Sequence, residues 1–303
     1  VPDLSTTSAI DLSQMTPPTV IEPVGYEAIL AALIARIQEP DLFPDFDATV
    51  ESDPIMKLLQ VLAWRELLMR QQFNERALQL FVAYATKTNL DHLGVLVGVP
   101  RLVIDEGDPE HGVDPTLEDD DPYRQRIVLA AERFSVAGPA LAYVFHAKSA
   151  HPDVLDASAT SPAPGEVLVS VLSRTGDGTA PADTLEAVDV VLTPIAGNRI
   201  RPMGDLVTVA SAEIVEFEVV GTLYTFLGPD RDVVLAAARV RLDAYLAASR
   251  LLGRNITVSS LHAALTVPGI QRVELELEED VVCDMTQAAW CTNIALAHGG
   301  YDD

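Results

Sequence analysis

Residues 52–81 read SDPIMKLLQVLAWRELLMRQQFNERALQLF, and this stretch decides how the chain is read. Ser52 or Asp53 can cap a helix, and Pro54 stands where a first-turn proline is tolerated. Beyond it, Ile55, Met56, Leu58, Leu59, Val61, Leu62, Ala63, Trp64, Leu67, Leu68 and Met69 leave only Lys57, Gln60, Arg65 and Glu66 as polar breaks. An ordinary surface helix has one apolar stripe. This one is apolar around most of its circumference. The spacing predicts one long helix from Pro54 to about Lys87, roughly 50 Å at the α-helical rise. It raises the question of what buries its second side.

The neighbouring sequence offers little cover. Residues 1–24 are rich in Pro, Ser and Thr and read as an extended arm. GYEAILAALIARIQ gives a helix with Ile29, Leu30, Leu33, Ile34 and Ile37 on one side. Asn89 reads as the cap of a short helix closed by Gly98 and Pro100. Residues 25–100 therefore make a helical region whose two other helices cover about half of the long one. An uncovered apolar patch of that size marks an interaction site.

Residues 101–121 hold nine acids and one Arg without periodicity, and read as an acidic hinge or mobile loop. A helical pair follows over 122–152, with Asp121 as cap and Pro122 at the first position. Strand signals then take over. DVLDASATSP and GEVLVSVLS bracket a Pro-Gly turn, ADTLEAVDVVLTPI is helical and LVTVASA is a strand, a β-β-α-β unit over 153–212. A second small α/β unit spans 213–283, with an alternating strand at EIVEFEVVGTLYTF, an amphipathic helix, a short helix capped by Thr257 and a last strand at GIQRVELELEED. Residues 284–303 read as a partly exposed tail. The expected class is α+β: a helical region with one long helix, two small α/β units and a short tail.

The totals narrow the function. The chain has 303 residues, 49% of them hydrophobic, so a packed core is well supplied. Its net charge of −25 divides evenly, with 11 basic and 23 acidic residues in 1–150 and 9 and 22 in 151–303. Nucleic acid and anionic membrane are poor partners for such a surface. Only Lys57, Lys87 and Lys148 are lysines, and an arginine bias suits bidentate ion pairs at interfaces as well as GC-rich coding. Cys283 and Cys291 do not make a disulfide framework. No basic leader and no membrane-length apolar run stands out, so a soluble chain is expected.

Catalytic motifs are missing. There is no G-x-S-x-G, H-E-x-x-H, phosphate loop or G-x-G-x-x-G. RTGDGTA at 174–180 reads as a turn. His146 and His151 straddle a helix end with no third ligand at matching spacing. Glu118 to Asp121 lacks the spacing of a calcium loop and reads as acids favoured before a helix start. The helical pair could pass for a helix-turn-helix, but its second helix has only Lys148 as a base. No enzyme, metal or cofactor is expected. What remains is surface for other proteins, with a soluble acidic inhibitor or nucleic-acid mimic as the alternative.

ESDPIMKLLQVLAWRELLMRQQFNERALQLFVAYATKTNLDHLGVLVGV, residues 51–99, resembles the N-terminal signature of the baseplate J-like proteins of contractile-tailed bacteriophages. The elements are Asp53-Pro54, Leu58-Leu59-Gln60, Trp64-Arg65-Glu66, Arg70 through Asn74-Glu75, and Ala85 through Leu93. DDDPYRQRIVLAAERFSVAGPALAYVFHAKSA is similar to the family's second block, with its Arg-x-Arg-Ile helix and Ser-x-Ala-Gly. VLVSVLSRTGDGTA and LTVPGIQRVEL are similar to its third and fourth, and SAIDLSQMTPPTVIEP also fits. The resemblance implies a structural protein of the virion. Two copies would join another baseplate wedge protein through a helical bundle, and adjacent wedges would meet through C-terminal domains. The ring so closed would surround the central hub and spike proteins, and with the sheath initiator would pass the contraction signal to the sheath. Placed on this sequence, Leu58, Leu59, Leu62, Trp64, Leu67, Leu68, Phe73 and Leu80 would pack the bundle. Asp105, Gly107 and Gly112 would lie in a hinge. Contractile tails also occur in tailocins and toxin-injection machines, and the resemblance fits these as well as a phage.

Overall fold

The structure is a computed structural model that describes residues 12, 15–22, 25–134, 139–193, 200, 202, 204–228 and 230–301. The chain forms two compact units, one over Asp11–Pro100 and one that takes in Arg101 onward.

In the first unit, α1 (Tyr26–Ile37) packs along α2 (Pro54–Leu78). The α2 start is as the sequence predicts: Asp53 Oδ1 accepts the Ile55 N–H at 2.7 Å and Pro54 stands at the first position. Ile29 and Leu30 of α1 close on Met56, Leu59 and Ala63 of α2 to make a small core. The expected helix to Lys87 is corrected. α2 has 25 residues, about 37 Å, and ends at Leu78. The side chain of Gln79 then organises the reversal. Its Oε1 accepts from Thr86 N at 2.9 Å and Thr86 Oγ1 at 3.1 Å, and its Nε2 donates to Tyr84 O at 3.3 Å. Thr86, not Asn89, holds the N-cap position of α3 (Lys87–Leu96). Asn89 lies inside α3 and donates back to Gln79 Oε1. No glycine or proline marks this break, so periodicity ran through it.

Of the arm, the described part lies on the C-terminal half of α2 and on the turn after it. Glu22 N–H donates to Asn74 Oδ1 at 3.2 Å, Asn74 Nδ2 donates to Glu22 O at 2.8 Å, and Tyr84 Oη donates to Met15 O at 3.2 Å. The rest of the arm lies outside the described residues, as does the Ser-x-Ala-Gly at 135–138.

The second unit opens with the acidic segment, which is a hairpin rather than an aperiodic loop. β1 (Val103–Asp105) pairs antiparallel with β2 (Thr116–Leu117). Gly107 and Gly112 take left-handed backbone at φ +66° and +75°, which suits glycine. Asp105 Oδ1 accepts the Gly107 N–H at 2.9 Å. The division between the compact units falls at Pro100–Arg101, before these residues.

Then come α4 (Asp120–Leu129), whose N-cap is Asp119 rather than Asp121, and α5 (Ala140–Ala150). α5 packs on β3 (Val154–Thr160) and sends Tyr143 and Ala147 into the core of the first sheet, so the helical pair is not a free-standing piece. That sheet has the order β3-β4-β5, with β4 (Glu166–Ser173) antiparallel to β3 and parallel to β5 (Leu206–Ser211). α6 (Ala182–Leu192) lies between β4 and β5 in sequence, which gives the expected β-β-α-β.

Only Ala212 separates β5 from β6 (Glu213–Thr225), the centre of a second sheet ordered β7-β6-β8. α7 (Arg231–Ala248) and α8 (Val258–Leu265) cover one face, and β7 (Ile270–Leu275) pairs antiparallel with β6. The expected tail is corrected. Gln287–Tyr301 forms β8, a 15-residue strand parallel to β6 along its length. Its Ile294 and Leu296 pack on the core while Asn293, Ala295 and Ala297 are exposed. Alanines and glycines make that alternation faint in the sequence. Cys283 and Cys291 are free thiols packed in or on this core, and burial pushes both pKa values up.

The two sheets share a seam. Leu172, Ala212, Leu252 and Ala288 form a buried cluster between them. Ser158 Oγ donates to Met285 O, and Arg250 Nη1 donates to Arg174 O at 3.1 Å.

Candidate partner interface on the long helix

The two sides of α2 differ because α1 is a single helix and covers a single stripe. Met56, Leu59 and Ala63, three and four residues apart, stack on one side and are buried. Leu67 continues that side and is half-buried. On the other, Leu58, Val61, Leu62, Trp64, Met69 and Phe73 keep between 54% and 63% of their surface open. Leu58, Leu62, Met69 and Phe73 are four, seven and four residues apart, the interval that lines up one helix face. Among the described residues nothing covers them.

Of the eight residues named for the bundle, Leu58, Leu62, Trp64 and Phe73 lie on the open surface of α2, and Leu80 is 73% exposed in the turn beyond it. Leu68 is half-buried. Leu59 is corrected: it is buried against α1 inside its own chain and has no surface to offer a partner. Val61 and Met69 belong to the open face and were missing from the set, although both stand in the quoted run. Val95 and Leu96 of α3 are also exposed, at 71% and 80%. Polar support at the rim is modest: Arg70 pairs with Glu66 at 2.6 Å and with Glu22 at 3.5 Å, all substantially exposed, and such pairs contribute about 0–1 kcal/mol.

Most of the groups weighed for chemistry are engaged in local structure. Glu118 is buried and accepts from Arg126 Nε at 3.0 Å and Nη2 at 2.6 Å, while Asp120 pairs with Arg101 at 2.7 Å. This network joins the hairpin to α4. His151 Nδ1 accepts the Asp153 N–H at 3.2 Å, and burial lowers the pKa of His146. Among the described residues, no three metal-ligating side chains gather. RTGDGTA is a turn with Gly176 and Gly178 at positive φ. Arg250, which sequence reasoning passed over, holds it by donating from Nη2 to Gly176 O at 2.8 Å while lying 4.6 Å from the Trp290 ring centroid. Arg250 and Gly176 are 74 residues apart, so no local pattern could have linked them.

Comparison with known proteins gives this surface its setting. Two family models match in order: the Baseplate J-like N-terminal domain over residues 51–108 and the Baseplate J-like central domain over 135–211. Baseplate protein J of Escherichia phage P2 is 41% identical over 305 aligned positions, covering 97% of this chain and 99% of the phage protein. A chain in the cryo-EM structure of the anti-feeding prophage baseplate aligns at a TM-score of 0.40 and 16% identity. That alignment covers 61% of this chain and 43% of the other, too weak a likeness to carry an argument. With both models in register and a relative this similar along its length, the chain belongs to the baseplate J-like protein family.

Proposed function

We infer that the chain is a structural protein of a tail baseplate in a virion, and that the open face of α2 is where it joins other baseplate proteins. The family supplies the place, and the face supplies the means. The single observation that carries the reading is the two-sidedness of α2: one apolar stripe closed by α1, a second left open.

Burial of that second stripe would remove Leu58, Val61, Leu62, Met69 and Phe73 from water, at about 1.5–3 kcal/mol per fully buried side chain. The occupant proposed is a helical bundle with a second copy of the chain and another baseplate wedge protein. Adjacent wedges, the sheath initiator and the central hub and spike proteins are the further partners of the closed ring, which hands the contraction signal to the sheath. In this reading the chain does no catalysis. A net charge of −25 disfavours nucleic acid and anionic membrane. The hinge proposed around Asp105, Gly107 and Gly112 falls on the β1–β2 hairpin, just after the division between the compact units at Pro100–Arg101.

The test is the solution mass of the full chain, alone and co-expressed with the product of the adjacent tail gene. A complex of two copies with one partner supports the bundle. A monomer that ignores the partner at high concentration refutes it.

A further inference from the structure

We propose that the cavity beside Arg174 and Arg250 binds a carboxylate carried on an apolar body about the size of one side chain. The inference does not use the open face of α2. The cavity lies where the two sheets meet and has a volume of about 360 Å³, at the small end for a ligand site. Phe217, Leu246, Ile256 and Ile294 give it apolar walls, and Trp290 lines it as well. Among the described residues, Arg174 and Arg250 are the only charged ones that line it. No acid does so, in a chain with 45 acids and 20 bases.

The donors of the two arginines are only partly used. Arg250 Nη1 donates to Arg174 O at 3.1 Å, and its Nη2 donates to Gly176 O at 2.8 Å and Ser173 O at 3.3 Å. Its Nε is buried and finds no acceptor among the described residues. Arg174 Nε donates to Pro152 O at 3.3 Å, and among the described residues its two Nη groups donate to nothing. Burial lowers the pKa of Arg250; Asp177 and Asp153 offset part of this through space, and the Arg174 charge adds to it. Both acids are turned to other partners. Asp153 Oδ2 accepts from Ser173 Oγ at 2.6 Å, and Asp177 Oδ1 accepts the Thr179 N–H at 2.9 Å. Two neighbouring guanidinium groups therefore stand at one cavity without an ion-pair partner among the described residues.

This combination selects the ligand. Guanidinium forks match the paired oxygens of carboxylate and phosphate. A phosphate leaves the apolar walls unfilled. An uncharged apolar molecule covers the Arg174 donors and gives them no acceptor, which is costly. A carboxylate on a hydrocarbon body meets both demands: its oxygens accept from Arg174, and its body displaces water along Phe217 and Ile256. A free organic acid and the C-terminal residue of a partner chain share this chemistry.

The experiment uses the full chain with Trp64→Phe, which leaves Trp290, at the cavity, as its sole tryptophan. Hexanoate, hexanamide, acetate and inorganic phosphate are titrated against its emission, and so is a peptide ending in Ala-Leu, with a free and with an amidated C-terminus. The expected result is a saturable change with hexanoate or the free-carboxylate peptide, and binding at least about tenfold weaker for the amides, acetate and phosphate. Arg174→Gln should weaken the acid by a similar factor with an unchanged melting temperature. Ala247→Glu brings an acid to the lining at an exposed helix position and should do the same; it replaces Arg174→Gln if that variant melts early. Tighter binding of the peptide than of hexanoate makes the source a chain end, and the reverse makes it a free acid. Amide, acetate or phosphate binding as tightly as the acid overturns the proposal. So does acid binding that both variants leave unchanged, or no saturation by either hexanoate or the free-carboxylate peptide.

Discussion

Asp156 of β3 is fully buried and accepts the backbone N–H of Leu252 at 3.0 Å, tying the first sheet to the loop after α7. Lys148 Nζ lies 3.4 Å from its other oxygen. Burial raises the pKa of this carboxyl, and Lys148 and the Leu252 amide offset only part of that. The native state therefore holds the proton more tightly than the unfolded chain. As pH rises from the ordinary carboxylate value through the raised one, the unfolded chain releases its proton first, and the stability contributed by this site falls. Asp156→Asn removes the titration and keeps an acceptor for Leu252. The stability of the wild type minus that of the variant should decline as pH rises through this window. Denaturant midpoints of both proteins at a series of pH values check this, and a difference that grows with pH refutes it.

Leu59 and Leu62 are one turn apart and should behave oppositely. Leu59→Ala opens a cavity against α1 and should destabilise the free chain by about 2–5 kcal/mol. Leu62→Asp, at an exposed position, should leave the free chain within about 0.5 kcal/mol of wild type. It should nevertheless prevent co-assembly, because a partner would have to bury an unpaired carboxylate. Denaturant titration reads the first effect and complex mass the second. Normal assembly of Leu62→Asp would remove the bundle.

Glu118 and Arg126 form a buried pair held by two hydrogen bonds. Arg126→Ala leaves a carboxylate without its charge partner and should destabilise by roughly 3–5 kcal/mol. Glu118→Leu with Arg126→Met should lose much less. A double-mutant cycle in which the two single changes simply add would count against this coupling.

The two hairpin glycines separate strain from collision. A Cβ on Gly107 would meet Val113 O at 2.5 Å and Asp114 O at 2.7 Å, whereas one on Gly112 would meet nothing within 4 Å. Gly112→Ala should lose about 1 kcal/mol from its left-handed backbone. Gly107→Ala should lose more and disorder the hairpin, which proteolysis at 103–117 would report. Equal effects would mean the hairpin is not held as described.

The local elements were legible where polarity alternates with a clear period. The start of α2, the amphipathic α1 and α7 and the Thr257 cap of α8 could all be read from neighbours a few residues apart. The end of α2 could not, because it depends on the Gln79 side chain rather than on a breaker. β8 could not, because most of its outward positions are small (Thr292, Asn293, Ala295, Ala297 and Gly299), and its strand character comes from pairing with β6 more than seventy residues away.

For the candidate interface, the sequence by itself determined that α2 has more apolar surface than one stripe needs. Composition and order along the chain are enough for that. Only the tertiary structure decided which half is spent. α1 closes over Leu59 and leaves Leu58, Leu62, Met69 and Phe73 open, a choice set by packing between segments that are distant in sequence. The same holds for Glu118, Asp156 and Arg250. As letters they are ordinary polar residues, and they become joints of the fold through their partners: Asp156 reaches Leu252 and Arg250 reaches Gly176 across 96 and 74 residues, and Glu118 is buried beside Arg126 eight residues on.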